Sequence, residues 1–221
     1  ATIEAMARTA VALGHEYMVL TDHSPRLTIA HGLSAERLAQ QLADVARLNE
    51  LLAPFRILTG IEVDILEDGT LDHGDAILSQ LDVVVASVHS KLRMGSKEMT
   101  ERMVRAVANP HVDILGHCTG RLIGKREPST FDPDYVFAAC AQFHTAVEIN
   151  CRPERLDPPR PLLQMAVEYG CYFAIDSDAH ATGQLEWQPL GCDRAAEVGV
   201  PLDRVLNTWP VDQLLAWVAG K

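Results

Sequence analysis

The segment that decides the fold is DVVVASVHS (82–90), in which a run of valine and alanine, interrupted only by Ser87, leads to a histidine. β-Branched side chains favour strands, and a strand that is apolar on both faces is typical of a parallel sheet covered by helices. The segments RILTGIEVDIL (56–66) and HVDILGH (111–117), which flank it in sequence, also join aliphatic runs to polar residues. These three segments therefore predict buried parallel strands.

Helical segments alternate with such strands along the chain. SAERLAQQLADVARLNELL (34–52) has apolar residues at helical spacing behind Ser34 as the N-cap, and FDPDYVFAACAQF (131–143) begins a helix at Asp132 and Pro133. About seven strand–helix units favour a single α/β domain built as a closed or nearly closed barrel. A doubly wound open sheet is the alternative, but no glycine-rich nucleotide-binding motif supports it.

The composition excludes some classes of function. Thirty acidic and 19 basic residues give a formal net charge of −11. This charge repels nucleic acid at long range, so a phosphate-bearing substrate needs a local positive source such as metal ions. The five cysteines form no C-x-x-C pair, which indicates reduced thiols and a cytoplasmic protein. No apolar run approaches the ~20 residues that cross a bilayer, so we expect no membrane partner.

Polar side chains lie where several predicted strands end. They are Asp22 and His23, Glu62 with Asp64, His89, His117, Asn150, and Asp178 with His180. Because active sites of barrels form where the carboxyl ends of all strands converge, we expect these side chains to lie close together. One histidine at a strand end is usually structural, but candidate ligands at five strand ends, all of those named except the one with Asn150, indicate a shared site. Imidazoles combined with carboxylates suit zinc, manganese or iron better than calcium or magnesium.

The remaining polar residues receive weaker assignments. Asp22 and Asp64 could each orient a metal ligand or simply be solvated loop residues, and the sequence favours neither role. Asp176 fits a residue that orients a neighbour better than it fits a metal ligand. Five histidines have no predicted metal role: His15, His31, His73, His111 and His144. Five basic residues follow the strand ends and are candidates to bind phosphate, although each alone fits an exposed loop charge better: Lys91, Arg93, Arg121, Arg152 and Arg155.

The ordered motifs resemble those of a known family. The motifs are LTDHS (20–24), GIEVDI (60–65), SVHS (87–90), ILGH (114–117) and DSDAH (176–180). Together they resemble the PHP (polymerase and histidinol phosphatase) family. SVHSKLRM (87–94), NPHVDILGHCTGR (109–121) and EINCRPERLD (148–157) are similar to the subgroup that includes the PHP domain of bacterial family X DNA polymerases and stand-alone relatives. The resemblance implies a distorted (βα)7 TIM-like barrel with a three-metal site that hydrolyses phosphoesters.

The resemblance also implies residue roles. Glu62 would bridge two metals, with His89 and His117 as further ligands of one and Asp178 as a ligand of the other. His23 and His180 would hold a third ion, and Glu62, Asp178 and His180 would be catalytic. The family's His-x-His motif on the first strand has no counterpart here. We therefore expect residues 1–221 to be a single PHP-like domain that is N-terminally incomplete. It should bind fewer than the two to three zinc, manganese or iron ions of the family.

The favoured function is hydrolysis of a phosphate monoester by metal-activated water, with a phosphorylated small molecule as substrate, in a chain that truncation would leave weak or inactive. One alternative is a 3′–5′ exonuclease acting on a DNA 3′ end, with a polymerase domain elsewhere in the parent chain. A second is a catalytically inactive PHP-like scaffold. A metal-dependent amidohydrolase is a third, but no predicted strand ends in the lysine that such enzymes usually need.

Overall fold

The computed structural model describes residues 1–27 and 32–220 of the chain. Strands and helices alternate through these residues. The strands are β1 (Tyr17–Leu20), β2 (Arg56–Asp64), β3 (Val83–Ser87), β4 (Ile114–Leu115), β5 (Ala146–Asn150) and β6 (Phe173–Asp176). The helices are α1 (Ile3–Ala12), α2 (Ala35–Leu52), α3 (Asp75–Leu78), α4 (Ser96–Val107), α5 (Pro133–Gln142), α6 (Arg160–Glu168), α7 (Gln188–Glu197) and α8 (Val211–Ala219).

The six strands form one parallel sheet in the order β1-β2-β3-β4-β5-β6. This arrangement confirms the predicted α/β fold with a buried parallel sheet. Among the described residues, β1 and β6 are the edges of the sheet, so the strands form a barrel-like wall that is open on one side. The open wall still brings the carboxyl ends of all six strands to one rim.

Local sequence explains where the helices begin. The Ser34 side chain accepts a hydrogen bond from the amide of Arg37 at the start of α2, and Asp132 caps α5 in the same way through the amide of Asp134. Pro133 is the first residue of α5, where its fixed φ suits the helix. Both caps are predicted from the sequence. No helix in the described part of the chain is both long and apolar enough to cross a membrane.

Side chains alternate between two faces along each strand. On β3, Val84 and Ala86 pack into the larger core beneath the helices, whereas Val83 and Val85 point to the other face. We call this second surface the inner face. Its amino end is filled by apolar residues, among them Leu58, and is covered by Leu206 and by Leu214 of α8. Three aromatic rings pack edge to face beside them: Tyr172, Trp209 and Trp217.

Candidate metal centre

Three imidazoles converge on the Glu62 carboxylate at the carboxyl end of the inner face. His23 Nδ1 and His89 Nε2 each lie 3.2 Å from a Glu62 oxygen, and His117 Nε2 lies 3.6 Å from one. These side chains come from β2 and from the residues that follow β1, β3 and β4. The structure therefore brings together four side chains that the sequence predicts to meet.

The imidazole nitrogens lack hydrogen-bond partners. Although they are buried, His23 Nδ1, His89 Nε2 and His117 Nδ1 make no hydrogen bond with any of the described residues. A buried polar atom left without a partner costs about 1–3 kcal/mol. Ligand atoms of His23, Glu62 and His89 all lie within 4.8 Å of one another. This donor set fits a divalent transition-metal ion, which would satisfy the unpartnered His23 Nδ1 and His89 Nε2.

The charges of the cluster keep Glu62 ionised. Burial by itself would raise the pKa of Glu62, but close contact with His89 and the positive potential of the three imidazoles hold that pKa well below its ordinary value. Burial also opposes protonation of His89, yet Asp64 and Glu62 raise its pKa to about 9. Burial lowers the pKa of His117. An ionised Glu62 beside the neutral His117 imidazole is suited to bind a cation, which would displace the proton that His89 otherwise carries.

Asp64 lies behind His89. Its Oδ1 accepts a hydrogen bond from the His89 amide at 3.2 Å and lies 3.3 Å from His89 Nδ1, and the residue is 3% exposed. A carboxylate on one ring nitrogen orients the other nitrogen, here Nε2, towards Glu62. The sequence does not distinguish whether Asp64 orients a ligand or is a solvated loop residue. The contact with His89 shows that its carboxylate packs against the imidazole ring. Asp22, in contrast, is exposed and bonded to Gln41.

A second group of acidic side chains lies on β5 and after β6. Asn150 Nδ2 donates to Glu148 Oε2 at 3.3 Å and to Asp178 Oδ2 at 3.2 Å, and Glu148 accepts from the amide of His117. Burial, followed by the charge of Asp176 and its neighbours, raises the pKa of Glu148 well above normal. Burial also raises the pKa of Asp176 to about 7. This half of the site therefore concentrates carboxyl groups beside the imidazoles.

Glu148 is absent from the residues predicted from the sequence, which include only Asn150 from strand β5. A signal was available in the alternation of the strand: Glu148 and Asn150 are two residues apart and share a face with Glu62 on β2. A carboxylate in the middle of a buried strand, facing a predicted metal site, is a candidate member of that site.

Arg155 is the predicted basic residue that enters the cluster. Its Nε lies 3.3 Å from Asp178 Oδ2, and its buried Nη1 has no hydrogen-bond partner. Arg121 Nε donates to the carbonyl of Arg155 at 2.8 Å, and its guanidinium also bonds the carbonyl of Leu156. Arg121 thus braces the loop that carries Arg155. Its predicted contact with phosphate stays a prediction.

The other predicted residues lie around the rim. Lys91 and Arg93 are exposed after β3, and the Arg152 guanidinium lies 6.0 Å from the centre of the Trp187 ring. His180 is 53% exposed, and its ring centre is 5.9 Å from that of His23. His15, His73, His111 and His144 are outside the cluster, and His31 lies outside the described residues.

The chain is similar in sequence to a bacterial DNA polymerase and to probable phosphatases. It is 40% identical over 206 residues to the DNA polymerase/3′-5′ exonuclease PolX of Bacillus subtilis (strain 168), a match that covers 93% of the chain and 36% of PolX. It is 29% identical over 217 residues to a probable phosphatase of Thermoanaerobacter sp. (strain X514), covering 94% of the chain and 84% of that protein. The chain therefore spans about a third of the length of PolX. No protein-family model matches the chain.

A solved structure shares the fold. Histidinol phosphate phosphatase from Lactococcus lactis subsp. lactis Il1403, in complex with zinc, L-histidinol and phosphate, superposes with a TM-score of 0.67. The match covers 90% of this chain and 88% of that chain at 18% identity, which supports the fold alone. The ordered motifs and the sequence match to PolX along 93% of the chain show that the chain belongs to the PHP (polymerase and histidinol phosphatase) family, and the shared fold agrees with this.

Proposed function

We propose that the chain is a metal-dependent phosphoesterase that hydrolyses a phosphate monoester on a small molecule. The observation that carries this proposal is the convergence of three imidazoles with unpartnered buried nitrogens on the ionised Glu62. The probable phosphatases and the histidinol phosphate phosphatase among the related proteins support the same reaction class.

The proposed metal ligands come from both groups of side chains in the site, the imidazoles around Glu62 and the acidic group that includes Asp178. Glu62, His89 and His117 would hold one ion, Glu62 and Asp178 a second, and His23 with His180 a third. Divalent ions in such a site activate water and neutralise charge that develops on phosphate oxygens. Zinc is supported by the zinc-bound structural neighbour, with manganese or iron as the alternatives for this donor set.

Other side chains of the cluster would bind and orient the reacting groups. The Arg155 guanidinium, with Nη1 unpartnered and Asp178 beside it, can donate to a phosphate oxygen at the edge of the site. Asp64 fixes the His89 ring, and Asn150 fixes the Asp178 carboxylate. His180 is exposed at the rim, 3.6 Å from Asp178 Oδ1, and we keep it among the proposed catalytic residues with Glu62 and Asp178.

A 3′–5′ exonuclease acting on DNA ends is the second candidate. The 40% identity to PolX favours it, and a polymerase domain elsewhere in the parent chain would then supply affinity for DNA. The net charge of −11 favours the small substrate. A catalytically inactive scaffold is the remaining alternative, and it would bind no metal in this cluster.

The test begins with elemental analysis of protein purified without chelator. We expect at least one transition-metal ion per chain, and hydrolysis of p-nitrophenyl phosphate that is lost with chelator and restored by zinc or manganese. Release of nucleotides from a single-stranded oligonucleotide, without hydrolysis of monoesters, would favour the exonuclease. Absence of bound metal after incubation with each ion, together with absence of hydrolysis, would favour the scaffold.

The variant Arg155→Met tests the phosphate contact. Loss of a charge-assisted hydrogen bond costs about 1.5–3 kcal/mol, so we expect kcat/KM to fall about 10- to 150-fold. Arg47→Met is the matched control, because Arg47 is 65% exposed on α2. Unchanged kcat and KM in Arg155→Met would remove this residue from the site.

We also propose that residues 1–221 form a single domain that acts in the cytoplasm. The continuous sheet order supports one domain, and the five cysteines, all of which are free thiols, fit a reducing compartment.

A further inference from the structure

Arg102 of α4 is a buried cation near the carboxyl ends of β2 and β3. The residue is 1% exposed, and the buried residues around it on α4 include the apolar Met99, Met103 and Ala106. Within residues 1–27 and 32–220, every hydrogen bond of its guanidinium goes to an uncharged group, and its Nε has no partner. Arginine is rarely buried unless its charge is paired. Packing in the core alone therefore does not explain an arginine at this position.

The guanidinium of Arg102 joins two segments that carry residues of the proposed metal site. Its Nη1 donates to the carbonyl of Ser90 at 2.9 Å, and its Nη2 donates to the carbonyl of Ile65. Ser90 directly follows His89, and Ile65 directly follows Asp64. One buried side chain thus holds the backbone beside a proposed ligand and the backbone beside the carboxylate that orients this ligand.

These bonds join the two segments beyond the point where the pairing of β2 with β3 ends. The last pair in register is Asp64 with Ser87, and the Ile65 amide donates to the Ser87 carbonyl at 2.8 Å. Beyond this pair, Arg102 spans the two segments, as does Asp64 through its contacts with the amide and the ring of His89. Loss of the guanidinium would remove a donor from each segment, and the contact between Asp64 and His89 would lose this support.

The charge of Arg102 also acts on Asp64. Burial lowers the pKa of the guanidinium, and among the neighbouring charges that of Asp64 opposes this shift most strongly. Asp64 is itself 3% exposed, so the two charges attract each other in a region with little water to screen them. Arg26 Nε lies 3.7 Å from Asp64 Oδ2, but the Arg26 side chain is 52% exposed and its charge is more strongly screened. Arg102 is therefore the buried cation that accompanies the contact between Asp64 and His89.

We propose that Arg102 is a positioning residue of the metal site. Through its bonds to the two backbone segments it holds Asp64 against His89, and His89 Nε2 thereby stays directed towards Glu62. Arg102 itself would touch neither a metal ion nor the substrate. The inference rests on the proposed metal-dependent function and deepens it, because it assigns part of the metal affinity to a core side chain of α4.

The variant Arg102→Met tests this role, because methionine fills much of the space but provides neither the donors nor the charge. Replacing a buried charge by an apolar side chain often leaves a protein folded. Competition with a chromophoric chelator should show zinc affinity about tenfold lower, at the small end of the range for groups that orient metal ligands. Arg102→Lys keeps the charge but has fewer donors, so we expect a smaller loss. Arg105→Met is the matched control, because Arg105 is exposed on the same helix and also bonds a backbone carbonyl, that of Asp68.

Combination with Asp64→Asn separates positioning from general support of the fold. If Arg102 acts through Asp64, the double variant Arg102→Met/Asp64→Asn should bind zinc about as weakly as Asp64→Asn alone, since the effects of coupled residues do not add. A side chain that only supports the fold would multiply the two losses. Losses that multiply, or unchanged zinc affinity in a folded Arg102→Met protein, would overturn the proposal.

Amide hydrogen exchange of chelator-treated protein provides a test that needs no metal. The His89 amide donates to Asp64 Oδ1 at 3.2 Å. We expect this amide to exchange about tenfold faster in Arg102→Met, relative to the amides of β3, because the contact opens more often. An unchanged exchange rate would overturn the positioning role whatever the metal content. If the wild-type protein binds no zinc, the proposed function fails, and the exchange rate then tests the role of Arg102 by itself.

Discussion

The two ends of the inner face are built on the same strands but differ in chemistry. At the amino end, Leu58, Val83 and Ala174 pack against Leu206 and Leu214, and the aromatic rings close the surface. At the carboxyl end, the same face of the same strands carries Glu62, Glu148 and Asp176, with imidazoles from the following loops. One end is covered by the C-terminal helix, and the other is reached from the rim.

This difference separates stability from chemistry. Apolar burial at the amino end stabilises the fold roughly in proportion to the area removed from water. At the carboxyl end, buried nitrogens without partners and carboxyl groups with raised pKa values cost stability when no cation is bound. Variants at the amino end should therefore change unfolding free energy but leave metal content largely unchanged. Variants at the carboxyl end should change metal binding and catalysis.

The largest effect is expected for Glu62→Gln at the carboxyl end. The change keeps the shape of the side chain but removes the charge on which three imidazoles converge. We expect metal content to drop and kcat/KM to fall by more than the ~10- to 100-fold that loss of an outer-shell partner costs. Elemental analysis and steady-state kinetics measure the two quantities. A variant that retains full metal content would show that the cation is held elsewhere.

Next comes Leu214→Ala at the amino end. Leu214 is 6% exposed, and truncating a buried leucine in a place that can partly relax costs about 2–3 kcal/mol. Chemical denaturation should record this loss of unfolding free energy, while metal content per folded chain stays at the wild-type value. The comparison between the two ends fails if this variant loses metal as Glu62→Gln does. Leu202→Ala, at a residue that is 74% exposed, is the matched control and should change stability little.

A smaller effect at the carboxyl end is expected for Asp64→Asn. The variant weakens the hold on the His89 ring without removing a proposed ligand, so metal affinity should fall about 10- to 100-fold. Competition with a chromophoric chelator measures this affinity. Asp44→Asn, on α2 with a side chain that is 43% exposed, should leave this affinity unchanged. An unchanged affinity in Asp64→Asn would mean that the His89 ring is oriented by other contacts.

The smallest effect concerns Asp157, which lies behind the rim and is bonded by the amide and hydroxyl of Thr119. Burial raises the pKa of Asp157 above its ordinary value of 3.8. An acid with a raised pKa contributes stability below its unfolded pKa, and this contribution is lost as pH rises through the folded pKa. In Asp157→Asn, unfolding free energy should therefore decline less from about pH 4 upward than in the wild type. Parallel denaturation curves at each pH would contradict this expectation.

The sequence predicts the fold and part of the site for physical reasons. β-Branched runs such as residues 83–85 predict buried parallel strands, and the polar residues at their ends predict the convergence of His23, Glu62, His89 and His117. Convergence follows from topology alone, since parallel strands share one rim. The comparisons confirm the family and the fold.

What could not be predicted depends on side-chain contacts between distant segments. Arg121 and Arg155 are both basic residues after strand ends, but only the structure shows that Arg121 bonds backbone carbonyls while Arg155 faces Asp178. Asp64 could not be distinguished from a loop charge before its contact with His89 was known. The open edge between β1 and β6 is likewise a property of pairing, which no single strand reveals.

The placement of the three tryptophans has a practical consequence for optical spectroscopy. Trp209 and Trp217 lie 6.1 Å apart at the covered amino end, so their near-ultraviolet circular dichroism should report whether that end is packed. Trp187 is separate from them and lies under Arg152, two residues beyond the end of β5. Its fluorescence should therefore respond to an anion that draws Arg152 away from the indole. One molecule would then carry separate intrinsic probes of folding and of occupancy at the rim.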